Sequence, residues 1–208
     1  MAPQQHDPLQ DWKKFLNPES LKTNLIAASL FLAAYETLRA SVVDQLKDFF
    51  CTGFDEDGYT YSPEYEAKVL SRHKSPLGAS LLWLREMGVI SENELARVDH
   101  IRAHRNEIAH DLPRFITNAN SNVSIALIAE VCELVVKIDQ WWIREVEIPT
   151  HPNFTPEQLD SIDYTGVASG RMMFLRLMID IATGDDEQTI AYYNALANSS
   201  ADGGKSER

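Results

Sequence analysis

The chain has 208 residues, of which 44% are hydrophobic and 24% charged, and its formal net charge is −12. That length suits one domain, or one domain with an extension, and is enough to bury a core without disulfide or metal staples. The charge argues against a broad basic face gripping long nucleic acid, but leaves room for a small local basic site.

Residues 1–17 read as a flexible arm beginning to order near Trp12. The polar opening Met1 to Asp11, with Pro3 and Pro8, lacks the apolar stretch of a secretory signal. No apolar run reads as a membrane span, so the expectation is a cytoplasmic protein without membrane contact. Asn17 followed by Pro18 is a helix start. Leu21, Leu25, Ala28, Leu32, Tyr35, Val42, Leu46 and Phe49 then keep 3/4 spacing, with Arg39 breaking it, which predicts one long helix ending near Gly53. Phe54 to Gly58 is a turn. Its acidic cluster lacks the remaining ligand positions of a calcium loop.

Helices are expected over Ser62 to His73 and Pro76 to Met87, the second stopped by Gly88. Ser91 and Glu94 form a capping-box pattern that opens another helix, running to Asp111 before Pro113. Val123 to Glu147 is apolar nearly all round, which places it at the centre of a bundle or at a subunit interface. Beyond Pro149 and Pro152, Thr155 to Gln158 caps a short helix, Gly166 to Thr183 is a Met-rich amphipathic helix, and a last helix ends near Asn198. Ser199 to Arg208 reads as a disordered tail. No period-two strand pattern is evident. The organisation expected is an arm (1–17), a helical bundle (18–148), a C-terminal helical extension (149–198) and the tail (199–208), all-α throughout.

The helix over Ser91 to Asp111 carries the chemistry. At about 100° per residue, Val98, Ile101, Arg105, Ile108 and Leu112 share one stripe. A guanidinium in such a stripe calls for a paired carboxylate, and Glu36, next to Tyr35 on the long helix, is the expected partner of a substantially buried Arg105. Asn106 and His110 share a neighbouring face. Arg97, Arg102, Arg105 and Arg114 with His100, His104 and His110 make this the most basic segment of an acidic chain. His100 and His104, four apart, read as exposed helical histidines rather than metal ligands. Cys51 and Cys132 read as buried free thiols. No phosphate loop, nucleophile motif or dinucleotide fingerprint is present, and neither cofactor nor metal is expected.

Arg105-Asn106-Glu107-Ile108-Ala109-His110, in its helix and with its apolar neighbours, resembles the Arg-Asn-x-x-x-His signature of the HEPN superfamily, over about Pro18 to Trp142. The lead-in Gly78-Ala79-Ser80-Leu81-Leu82 through Gly88-Val89-Ile90-Ser91 also looks like the mannitol repressor-like members. The resemblance implies an antiparallel HEPN bundle and a homodimer in which two motif helices meet. It implies a metal-independent endoribonuclease or RNA-binding protein of a bacterial or phage defence or toxin–antitoxin system, with an RNA substrate and an antitoxin or regulatory partner. In that reading His110 transfers protons, Arg105 stabilises phosphorane charge and Asn106 orients them, with Glu36, Arg102 and His104 in support. Because Arg105 and His110 point about 140° apart on one helix, convergence on one phosphate needs the dimer. Leu112 stands where the adenylylated toxins carry Tyr, so that regulation is not implied. The alternatives are a non-catalytic regulatory or interaction protein like the mannitol repressor group, and an acidic inhibitor or immunity protein.

Overall fold

A computed structural model of the chain describes residues 7–56, 58–184, 187, 189–192 and 194. The described chain is helical apart from one hairpin. The organising element is the helix that begins at Pro18. Asn17 caps it by accepting from the amides of Glu19 (3.0 Å) and Ser20 (3.1 Å), and Pro18 enters where no intrahelical donor is needed. It runs as α2 (Pro18–Arg39), through a π-helical turn (Ala40–Asp44), into α3 (Gln45–Phe49). Ala28, Phe31, Ala34, Tyr35, Leu38, Val42 and Leu46 form its buried face. The π turn puts an extra residue into one turn, and Ser41 and Val43 are buried there beside Val42. By length and composition Pro18–Phe49 is apolar enough to cross a membrane, which the sequence reading did not register; 50% of its most apolar window is buried inside the protein.

Where the sequence suggested an arm, the chain is helical from Pro8: α1 (Pro8–Leu16) is capped by Asp7 and packs on α2 and α7. After α3 comes a correction to the strand-free reading. β1 (Cys51–Asp55) and β2 (Gly58–Tyr61) pair antiparallel, with Phe54 opposite Tyr59 and Gly58, at φ 117°, in the turn. Apart from the partly covered Cys51 and Gly53 the ribbon is exposed, so it has little inside/outside alternation to read, although Asp-Gly between aromatics is a hairpin signal in the sequence. Cys51 and Cys132 are free but only partly buried.

The helix expected over Ser62 to His73 is α4 (Pro63–Lys68) and a 3₁₀ turn (Leu70–Arg72). Next come α5 (Pro76–Glu86), closed by Gly88 at φ 74°, then α6 (Glu92–His110) and α7 (Leu112–Thr117). Pro113 lies in the first turn of α7 rather than stopping α6, and Asp111 leaves one helix and caps the next. The apolar helix is α8 (Ile125–Trp142), prolonged through a π turn (Ile143–Glu147) into α9 (Ile148–Thr150). Leu127, Ile128, Val131, Leu134, Val135, Ile138 and Trp142 are buried, at about 1.5–3 kcal/mol for each large side chain. Of the two placements the sequence left open for α8, the centre of the protein is the one its burial and its packing on α2 agree with. Trp142 stacks on Trp83 at 6.1 Å and 9°, closing one end of the core.

The C-terminal part holds α10 (Pro156–Asp160), capped by Thr155, and α11 (Gly170–Thr183), which packs on both α2 and α8. The last expected helix and the tail lie largely outside the described residues. A polar clamp fixes α11. Asp139 of α8 is 1% exposed and takes both nitrogens of an Arg171 fork, Nε at 3.2 Å and Nη2 at 3.3 Å. Ser169, the cap of α11, also donates to it, and Arg171 reaches Gln45 of α3. An acid this deep is tolerated only because both of its oxygens meet donors, one of them a guanidinium. Arg171 is itself 31% exposed, which tempers the loss. Asp139→Ala should therefore cost about 2 kcal/mol and lower the melting temperature by roughly 4–8 °C. A thermal melt by circular dichroism within error of the unmutated protein would contradict the clamp.

Candidate functional site

Helix α6 is anchored at both ends. At its start the Ser91 hydroxyl accepts from the Glu94 amide (3.3 Å), and the Glu94 carboxylate accepts from the Ser91 amide (2.7 Å) and from Lys137 of α8 (2.8 Å to each oxygen). Burial would raise the Glu94 pKa, but the Lys137 and Ser91 hydrogen bonds outweigh it and hold the acid at about 2. Along the middle, Val98, Ile101 and Ile108 are buried and Arg105 lies between them, as the stripe requires.

Arg105 meets the partner the sequence named. Its Nη2 donates to Glu36 Oε1 at 3.0 Å, and its guanidinium carbon stands 5.4 Å from the centre of the Tyr35 ring. Glu36 also accepts from Arg39 Nε at 3.0 Å, so one carboxylate joins two guanidiniums across α2 and α6. Burial raises the Tyr35 pKa, against the opposing field of Arg105, so the phenol stays protonated. The substantial burial expected of Arg105 is met only in part: its side chain is 34% exposed and that of Glu36 48%. Water reaches the pair, because Arg105 extends along the edge of the stripe. Its Nε is nonetheless buried with no acceptor.

The other expected residues divide into two groups. Asn106 and His110 are exposed at the last two turns of α6, with Asn106 Oδ1 only 3.5 Å from Arg105 Nη1. Arg102 is also exposed and pairs with Asp99 at 2.9 Å. His104 departs from the exposed position expected of it. It is half-buried, with the rings of Phe31 and Phe115 set edge-on at 5.0 and 5.6 Å, and its Nε2 accepts from the Ser124 amide at 3.1 Å. Ser124 is the cap of α8, so His104 ties α6 to the start of α8. His100 is exposed as expected.

The charges of the segment are already matched. Arg97 reaches Glu130 (3.2 Å) and Glu133 (3.0 Å), Arg102 reaches Asp99, Arg105 reaches Glu36, and Arg114 reaches Glu107 (3.3 Å) and Asp111 (3.6 Å). The run that is basic in sequence is thus flanked in space by more carboxylates than guanidiniums. No group of three or more His, Cys, Asp or Glu able to hold a metal occurs among the described residues. An apolar groove of about 370 Å³ lies between α8 and α11, lined by Cys132, Val135, Met172, Leu175 and Ile179; no residue of α6 lines it. Sequence reasoning missed two polar anchors, the Asp139 clamp and Lys14. An acid on the apolar face of α8 was a readable signal for the first; Lys14 is held by main-chain carbonyls of α7 and the loop after it, which no side-chain pattern reveals.

No family model matches the chain, and no curated protein or solved structure matches it either.

Because the Arg105–Glu36 pair is open to water, its worth is that of a partly exposed bridge. A double-mutant cycle with Arg105→Ala and Glu36→Ala should give a coupling of about 1 kcal/mol; a value near 3 kcal/mol would mean that the pair is deeply desolvated. A second expectation concerns pH. Burial lowers the His104 pKa below 6.5, against Glu107, and the accepting Nε2 requires the neutral ring. As pH falls through about 6.5 the unfolded chain gains a proton that the folded protein refuses, so stability is full above that pH and declines below it. Urea denaturation at pH 8, 6 and 5 should show this decline, and His104→Gln should remove part of it. An unchanged pH slope in the variant would show that His104 does not contribute.

Proposed function

We propose that the chain is a non-catalytic, HEPN-like regulatory or interaction protein of the cytoplasm, in which the Arg105-Asn106-x-x-x-His110 segment serves mainly to assemble the helices. The observation that carries this reading is the pairing of every motif-segment arginine with a carboxylate. A phosphate approaching α6 has to displace Glu36 from Arg105, or Glu107 and Asp111 from Arg114, inside a molecule of net charge −12. Phosphate contacts supply most nonspecific nucleic-acid affinity, and here the field around the guanidiniums is acidic. Arg105 has a structural role without RNA: it closes the apolar stripe, covers Tyr35 and bridges α2 to α6, its Nε alone lacking an acceptor.

A second reading, metal-independent RNA cleavage, is supported by a different observation. Asn106 and His110 are exposed on one face and have no evident part in the core, unlike His104. In this reading the internal 2′-hydroxyl is the nucleophile, His110 takes or gives the proton, and Arg105, released from Glu36, balances the charge that grows on the phosphorane. The 140° divergence of Arg105 from His110 then requires a second motif helix across a homodimer. A third class, an acidic inhibitor or immunity protein, has only the net charge in its favour.

One experiment separates the first two. Purified protein is incubated with single-stranded and loop-containing RNA in excess EDTA beside His110→Ala. The regulatory reading predicts no cleavage by either protein. Cleavage by the unmutated protein that is lost in His110→Ala would establish the second reading and overturn the first.

A further inference from the structure

Helix α1 is docked the wrong way round for an ordinary amphipathic helix. Its only residues that are not exposed are Asp11 and Lys14, both charged. Asp11 Oδ1 accepts from the Ala119 amide at 2.8 Å. The Lys14 ammonium donates to the carbonyls of Phe115 (2.8 Å), Asn118 (3.0 Å) and Ser121 (2.6 Å) and to Asn122 Oδ1 (3.2 Å). Desolvation in this oxygen cage lowers the Lys14 pKa, against the field of Asp11. The opposite side holds Leu9, Trp12 and Leu16, at i, i+3 and i+7, which are 60%, 60% and 67% exposed, with Phe15 beside Trp12 at 37%. With α1 bolted by Lys14 and Asp11 to α7 and the loop after it, the helix is held against rolling its apolar stripe inward.

We propose that this stripe is the self-association surface of the protein and that its occupant is the same helix of a second copy. Three observations select that occupant. The first is area: the four apolar side chains expose on the order of 450 Å², about the apolar share of the ~800 Å² that each partner buries in a standard interface. That is the size of the largest apolar patch a soluble monomer carries, a patch that is often functional. The second is self-complementarity. Leu9, Trp12, Lys13 and Leu16 line one shallow concavity. An antiparallel copy related by a twofold axis between Trp12 and Lys13 sets Leu9 against Leu16 of the second copy and Trp12 against its Lys13. This is an isologous contact with two Leu pairs and two cation–π pairs. The third is charge. An anionic lipid surface repels a chain of −12, and Lys14, one of the two lysines of α1, is already enclosed.

The contact lies outside α6 and does not rest on the functional reading above. Sedimentation equilibrium of the full chain at micromolar concentration should give about 47 kDa, twice the 23.5 kDa of one chain. Leu9→Glu with Leu16→Glu should halve that mass and leave the circular dichroism spectrum and melting of the dilute protein unchanged, since both side chains are exposed. His110→Ala and Phe174→Glu, on α6 and on the exposed face of α11, should leave the dimer intact. A monomeric unmutated protein, a dimer that survives the double substitution, or a dimer lost in His110→Ala or Phe174→Glu would each overturn the proposal. So would a monomer that floats with phosphatidylcholine–phosphatidylglycerol vesicles through Leu9 and Leu16, which would assign the stripe to lipid.

Discussion

The whole arrangement depends on how the apolar face of α2 is covered. That face runs from Ala28 to Leu46, and α6, α7, α8 and α11 all pack on α2 or on its π-turn continuation. Each covering helix must present apolar side chains inward, and α8 does so along most of its length. Helix α6 does so except at His104 and at Arg105, the one charged exception, whose position is set by the 3.6-residue period between Ile101 and Ile108. A guanidinium there is tolerable only if a carboxylate meets it and an aromatic face covers it. Consecutive residues of α2, Tyr35 and Glu36, supply both. The same constraint separates the two histidines that flank Arg105. His104 turns toward Phe31 and the cap of α8 and is absorbed into the structure, whereas His110, at the end of the helix, is left in water.

The electrostatic consequence drives the functional argument. Lone guanidiniums along a helix would make a phosphate site, but here each is matched by an acid on α2, on α8 or one turn away on its own helix. The individual pairs are weak, each worth about 1 kcal/mol or less because water reaches them. Together they set six carboxylates against the four guanidiniums of the segment, which lowers the positive potential around it. In the proposed reading the part of the segment is mechanical: it ties α6 to α2 through Glu36, to α8 through Glu94 with Lys137 and through His104, and to α7 through Asp111.

Much of this was readable in the residues, and what was readable shares a property: it is local or follows from one helical period. The Ser91–Glu94 box, the Gly88 stop, the Pro18 and Pro76 starts, and the Arg105–Glu36 pair all follow from spacing along one helix or from placing one stripe against another. What escaped is of two kinds, local elements that leave little pattern in the residues and contacts distant in sequence. The hairpin of Phe54 and Tyr59 is exposed beyond Gly53 and leaves little alternation. The π turn at Ala40–Asp44 changes the buried face without a Pro or Gly to announce it. Lys14 is satisfied by main-chain carbonyls more than 100 positions away, and Asp139 is neutralised by a residue of another helix. The half-exposure of Arg105 belongs to the same group, because a helical projection gives direction but not depth.

The central claim is that Arg105 and its neighbours hold the helices together and are not available to RNA. Nuclear magnetic resonance tests it directly. Amide and arginine Nε–H signals of the ¹⁵N-labelled protein are followed while a short single-stranded RNA is added at low salt, where electrostatic attraction is strongest. The account predicts that the signals of Asn106, His110 and the Arg105 guanidinium stay in place. Saturable shifts centred on those residues, with the Arg105 signal leaving its Glu36-paired position, would contradict it.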